Sequence, residues 1–186
     1  MQYSMLRKVF HYLNKFLMVP FFRLGLAPFI GNPVSGYIMV LKTIGRKSGK
    51  VRYTPVNYCL QHGELYCLSG WGKISDWYKN IEHEPFVEVI HPAGSLAGVA
   101  QVCDAVEVRL PILKQLLKNA GFAAFLEGYN PFKLSDIELE QKMRDYPLVR
   151  IQLTGLGNGV ADPQGWAWIG MTVLTILVVL ILVFAV

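Results

Sequence analysis

From Gly36 onward, apolar and polar positions alternate in short runs separated by turn residues, the period-two pattern of half-buried strands. GYIMVLKTIG (36–45) predicts a first strand. VRYTPVNYCLQHGELYCLSG (51–70) predicts two strands around a QHGE turn, where Gly63 supplies the positive φ that a tight hairpin needs. SDWYKNIEHE (75–84) predicts a short helix with Ser75 as its N-cap and Asp76 in the first turn, facing the positive helix end. PFVEVIHPAGSLAGVAQVCDAVE (85–107) returns to the strand pattern as a hairpin turning at HPAG. VRLPILKQLLKNAG (108–121) predicts a helix stopped by Gly121. Residues 122–145 hold one or two further helical pieces, and PLVRIQLTG (147–155) a last strand. Hairpins dominate this order and βαβ alternation is absent. The expected class is α+β: a small antiparallel barrel with helices packed outside it, not a doubly wound sheet.

The two ends of the chain have other patterns. Residues 1–31 are apolar but interrupted by Arg7, Lys8, Lys15 and Arg23, which leaves no uncharged core for a cleaved signal peptide. Met5, Val9, Tyr12, Phe16 and Val19 recur at helical spacing, as in an amphipathic helix lying on a membrane surface or on the domain itself. WAWIGMTVLTILVVLILVFAV (166–186) carries no charge. As a helix it would be about 30 Å long, the thickness of a bilayer's hydrocarbon core. Trp166 and Trp168 stand at its entrance, where indoles favour the interface. The expected organisation is an amphipathic segment (1–33), a barrel domain (34–155), a Gly/Pro linker (156–165) and a single-pass transmembrane helix (166–186).

Composition sharpens this in three places. Hydrophobic residues reach 53% and charged residues only 17%, a skew that the uncharged last stretch produces. The net charge of +5 lies outside that stretch, and the positive-inside rule then puts the domain on the cytoplasmic side. Three cysteines (Cys59, Cys67, Cys103) with no CxxC read as reduced strand or core residues, and four scattered histidines offer no metal-ligand spacing.

The candidate chemistry lies in LKTIGRKSGKVRYTP (41–55), where Lys42, Arg46, Lys47, Lys50 and Arg52 surround Gly45, Gly49 and Ser48. Glycines permit a tight turn whose backbone N–H groups can cradle an anion, with Arg gripping phosphate oxygens in pairs. A Walker P-loop is excluded, because the glycines are four apart and no Ser or Thr succeeds the last lysine. A solvated basic turn has the same composition. Nucleic acid is disfavoured, since no RNP-type aromatic motif accompanies the charge.

This stretch and the two motifs beyond it resemble the deazaflavin (coenzyme F420)-dependent nitroreductase family. TIGRKSGKVRYTPV is similar to the family's T-x-GRKSG-x-R-x-TP signature, LSG (68–70) and WYKN (77–80) to its second motif, and HEPFVEVI (83–90) to its trailing NP-x-V-x-V. The likeness covers about residues 35–155. It implies a split β-barrel, an FMN-binding-like antiparallel barrel with flanking helices, that holds a reduced deazaflavin and passes hydride to a quinone or nitro-type acceptor. By the family pattern Arg46, Lys47, Ser48 and Arg52 would hold the coenzyme's phosphate and acidic tail. Thr54, Pro55 and Val56 would run along its ring, and Ser69, Gly70 and Trp77 would close the other side. Ser69 or the Tyr129 hydroxyl would donate to the charge developing on the acceptor. Family tyrosines that shape the acceptor pocket are matched here by Phe122 and Phe125, which stack on a flat substrate but donate no proton.

A membrane-anchored oxidoreductase with a lipid-soluble acceptor is therefore expected, in contact with membrane lipid. The competing expectations are the same barrel holding FMN, haem or a fatty acid, and a non-catalytic accessory subunit of a membrane protein complex; the partners expected besides lipid and acceptor are a second copy in a homodimer or the other members of a membrane complex.

Overall fold

The computed structural model describes residues 2–103, 106–126, 128–159 and 167–184. Six strands form a closed barrel in the order β1-β2-β3-β6-β5-β4. They are β1 (Ile38–Ile44), β2 (Val51–Gln61), β3 (Glu64–Leu68), β4 (Phe86–His91), β5 (Gly94–Val102) and β6 (Leu148–Leu156), and every pairing is antiparallel. The barrel expected from the hairpin pattern is thus present, with flanking helices that fit a split-barrel fold. The β2–β3 turn carries positive φ at both central residues, His62 (53°) and Gly63 (79°), the pair that a two-residue hairpin turn of matching twist requires.

Met39, Leu41, Leu65, Cys67, Val89, Val149 and Ile151 fill the barrel and are all but fully buried. Their neighbours point the other way. Val40 packs outside with Met18, Phe22, Ala27 and Ile90. Both faces of β1 are therefore covered, which is why IMVL reads as a continuous apolar run rather than an alternation.

The outer cover comes from two helical layers. α1 (Gln2–Leu13) passes through a π-helical turn (Asn14–Met18) into α2 (Val19–Arg23), and α3 (Ala27–Ile30) comes next. The apolar stripe expected at the N-terminus does not face the barrel: Val9, Tyr12 and Phe16 are 56%, 59% and 65% exposed, whereas Met18 and Phe22 pack inward. The Met5 side chain lies outside the described residues.

Between β3 and β4, α4 (Asp76–His83) closes one end of the barrel with Trp77, Tyr78 and Ile81. On the other flank, α5 (Val106–Asn119), α6 (Phe122–Leu126) and α7 (Asp136–Met143) pack around Leu113, Leu117, Ala124, Leu139 and Met143. The end of α5 is docked by backbone. Gly121 has φ +58°, and a Cβ there would lie 2.5 Å from the Val34 carbonyl oxygen and 2.6 Å from the Gly36 nitrogen. The Tyr37 N–H donates to the Asn119 carbonyl (2.8 Å) and the Phe122 N–H to that of Val34 (3.0 Å). Asn119 Nδ2 donates to the Tyr58 carbonyl at 2.8 Å.

α8 (Ala167–Phe184) has 18 residues, about 27 Å of helix. Among the described residues no helix is long and apolar enough to cross a membrane, so the transmembrane span expected over 166–186 is not met. Every described side chain of α8, Ile169 to Phe184, is at least partly open to solvent and none is charged. Trp166 and the Trp168 side chain lie outside the described residues.

The β4–β5 turn contains a proton-sensitive contact. Half-buried His91 packs edge-on to Tyr58 at 4.8 Å, and its Nδ1 accepts the Ala93 N–H at 3.0 Å. Burial holds the imidazole below its ordinary 6.5. The unfolded chain therefore takes up this proton at a higher pH than the folded one, and folding stability falls as pH drops below about 6.5. Urea unfolding at pH 7.5 and 5.5 should show that His91→Asn, which keeps an acceptor for the turn, loses less stability over this interval than the wild type.

Candidate functional site

The basic loop between β1 and β2 is a closed hairpin. The Gly45 N–H donates to the Lys50 carbonyl (2.9 Å), and the Ser48 and Gly49 N–H groups both donate to the Gly45 carbonyl (3.0 and 2.8 Å). Those amides are spent inside the turn. The expected backbone cradle therefore cannot draw on those three amides, and the loop's cationic side chains carry most of what it offers an anion. Gly49 has φ +63° and open space around it.

The five cations of the loop divide by role. Lys42 pairs with Glu88 across β1 and β4 at 3.0 Å, largely buried. Arg46 turns toward α4. Its Nη2 contacts Asp76 Oδ1 at 3.0 Å and its Nη1 donates to Asn80 Oδ1 at 3.1 Å. The Arg46 backbone N–H donates to the same Oδ1 at 3.2 Å. Asn80 is 4% exposed, and its Nδ2 donates to the buried Thr43 Oγ1 at 3.4 Å. The two sequence motifs GRKSG and WYKN are therefore one structural unit. Lys47, Lys50 and Arg52 remain exposed with no ion pair among the described residues; Arg52 Nη2 donates to Ser48 Oγ at 3.3 Å.

α4 owes its position to its apolar face. Trp77, Tyr78 and Ile81 enter the barrel core and plug its end. Ser75 occupies the N-cap position but makes no capping bond. Its hydroxyl lies 2.8 Å from Ser69 Oγ, which is itself 2.8 Å from the Gly72 carbonyl oxygen. One proton serves one acceptor, so Ser69 donates to the carbonyl and accepts from Ser75. Ser69 is fully buried and holds the β3–α4 loop.

Beside this end of the barrel lies a cavity of about 650 Å³. Thr54, Pro55, Val56, Gly70 and Trp77, all singled out in the sequence, line it together. So do Tyr129 and Phe122, while Ser69 and Phe125 do not. Tyr129 has Lys142 Nζ 5.8 Å from its ring centroid. The remaining walls come from residues that the sequence did not single out: Phe10, His11, Asn14 and Leu17 of the N-terminal helix, and Trp71. No local signal marks them, because they meet β2 only through the tertiary fold.

Two of the three cysteines, Cys59 and Cys67, are buried. Burial pushes the Cys59 and Cys67 thiols up to about 11 and about 12, which removes the thiolate that nucleophilic or redox work needs. Among the described residues no cluster of three or more His, Cys, Asp or Glu could hold a metal.

The Asn80 node makes a stability prediction. Asn80→Ala leaves the Arg46 N–H and Thr43 Oγ1 without their partner, at a cost of about 2 kcal/mol. Thermal unfolding should show Tm lowered by roughly 4–8 °C, whereas Lys47→Ala should leave it unchanged.

Comparison with known proteins agrees with this geometry. The F420H(2)-dependent quinone reductase family matches residues 24–120, more than half of the 186-residue chain. No curated protein matches. Similar solved structures include an F420-H2 dependent reductase (23% identity over 62% of this chain and 93% of that one, TM-score 0.41). A conserved hypothetical protein from Mycobacterium tuberculosis shares 18% identity over 69% of this chain and 78% of that one (TM-score 0.46). The heme storage protein HutZ from Vibrio cholerae shares 16% over 67% and 89% (TM-score 0.43). The matched segment carries the basic loop, β1 to β5, α4 and α5, and by that match the chain belongs to the F420H(2)-dependent quinone reductase family.

Proposed function

We propose that this oxidoreductase binds reduced deazaflavin with its anionic tail on Lys47, Lys50 and Arg52 and its ring in the 650 Å³ cavity, and that the acceptor reduced there is a quinone. The observation that carries this reading is the continuity of the two subsites. Arg52 and Thr54 lie two residues apart on β2, roughly 7 Å, so one ligand reaches from exposed cations to the cavity wall. The residues present fit the coenzyme: three cations with no ion pair for a polyanion, and an apolar chamber of suitable size for a tricyclic ring.

When bound, the reduced coenzyme supplies a hydride. The chain's own residues bind, orient and shield. Pro55 and Val56 give the ring a flat apolar seat, and Trp77, anchored in the barrel core by α4, fixes one edge of the chamber. Gly70 adds no side chain there, and nothing stands within 4 Å of the place a Cβ would occupy. Ser69, expected as a donor to the acceptor, instead positions the loop that carries Gly70 and Trp71. Of Ser69 and Tyr129, the two residues expected to face the acceptor, Tyr129 alone lines the cavity. The apolar walls exclude water, which strengthens any hydrogen bond made to charge developing on the acceptor.

A second element of the reading is attachment to lipid. α8 is uncharged, and its described side chains are open to solvent, as are Val9, Tyr12 and Phe16 on the outer side of α1 beside Lys8 and Lys15. Apolar surface next to cations suits an anionic bilayer. Flotation of the full-length protein with phosphatidylglycerol vesicles should carry it to the lipid fraction, and substitution of Val9, Tyr12 and Phe16 by Ser should reduce that fraction. Equal recovery in the absence of vesicles would exclude lipid attachment.

The coenzyme reading is tested by tryptophan quenching on titration with reduced deazaflavin, since Trp71 and Trp77 line the cavity. Lys47→Ala/Lys50→Ala should weaken binding roughly tenfold or more, and the wild-type affinity should fall with added salt. Unchanged affinity in the double variant would overturn the tail assignment.

A further inference from the structure

Resting on the proposed function, the geometry points to Asn14 as the residue that recognises the acceptor: its side-chain amide donates a hydrogen bond to a quinone carbonyl oxygen. Asn14 is half-buried and lines the cavity together with the β2 wall of Thr54, Pro55 and Val56.

The assignment comes from comparing the polar groups around the chamber. Thr54 belongs to the β2 wall proposed for the coenzyme ring, His11 is exposed, Tyr146 packs in the α5–α7 cluster, and Trp71 and Tyr129 each have a partner of their own. The Ser35 hydroxyl donates to the Ile30 carbonyl. Asn57 Nδ2 lies 3.4 Å from both the Tyr37 and the Asn119 carbonyl oxygens. Ser75 is bonded to Ser69, and the Asp76 carboxylate is paired with Arg46 and would repel an acceptor gaining negative charge. Asn14 makes no side-chain hydrogen bond to any described residue. A polar amide on the wall of an apolar chamber, with no protein partner, is satisfied by water until a ligand oxygen replaces it.

The backbone supplies a second, independent observation. Asn14 opens the π-helical turn, where the Val19 N–H reaches back five residues to the Asn14 carbonyl. Such widened turns are rare and recur at functional positions. Asn14, Leu17, Met18 and Phe21 all line the cavity, at the i, i+3, i+4, i+7 spacing of one helix face.

The chemistry suits a neutral donor. A quinone takes two electrons with the hydride from reduced deazaflavin, which is oxidised; the oxygen left negative then takes a proton from water, giving the hydroquinone. A carboxamide hydrogen bond strengthens as that charge builds and does not itself ionise. It also discriminates, because a hydrocarbon of the same shape leaves the amide desolvated and unpaired.

The test uses full-length protein and two flat probes: menadione, which has the carbonyl oxygens, and 2-methylnaphthalene, which lacks them. Tryptophan quenching gives both affinities for the wild type, Asn14→Leu and Asn14→Gln. Asn14→Leu should weaken menadione binding about tenfold and leave 2-methylnaphthalene within twofold, and Asn14→Gln should recover part of the loss. An unchanged menadione affinity, an equal weakening of both probes, or no menadione binding to the wild type would overturn the assignment. A menadione preference that depends on Asn14, in a protein that does not bind reduced deazaflavin, would defeat the proposed coenzyme and leave the acceptor site standing.

Discussion

One buried carboxamide organises the working end of this barrel. Asn80 joins the β1–β2 loop through two Arg46 nitrogens and joins β1 itself through Thr43. Away from water these bonds hold the loop, the strand and α4 in one arrangement, because any shift leaves a buried polar group unpaired. The position of Trp77, and with it one edge of the cavity, depends on the same fixed helix.

The Asn80 tie also explains how charge is distributed around the site. Arg46 is withdrawn into structure, so the positive field at the loop comes from Lys47, Lys50 and Arg52. Their own stretch of chain does nothing to cancel it, since no acidic residue precedes Glu64 in the sequence. A polyanionic ligand approaching this side meets attraction over a broad surface before it meets any specific contact, which favours fast capture. The apolar chamber then selects among what arrives.

Much of this was readable from the sequence, for reasons that can be named. The strands declared themselves because their turns carry Gly63, Pro92 and Gly94, and α4 because an acidic first turn comes after Ser75. Thr54, Pro55, Val56, Gly70 and Trp77 were found through motif resemblance, and the fold brings them together. What could not be read is what depends on distant partners. Arg46 and Lys47 are adjacent cations, yet one is committed and the other exposed, because Asp76 and Asn80 stand some thirty residues away. Ser75 has the composition of a cap, but Ser69 takes its hydroxyl. The stripe of Val9, Tyr12 and Phe16 is periodic and still faces outward, because periodicity marks an apolar face without saying what covers it.

The docking of α5 has a consequence for how new substrate ranges arise in this fold. Gly121 touches Val34 and Gly36 backbone to backbone, leaving no freedom for that wall to move or swell. The β2 wall is equally fixed by its ladder to β1. The N-terminal helix meets the chamber through side chains on an otherwise separate element, so it acts as an interchangeable liner. Under the proposed function, acceptor preference can diverge there by exchanging a few residues between Phe10 and Phe21, while the barrel and the proposed coenzyme subsite stay as they are.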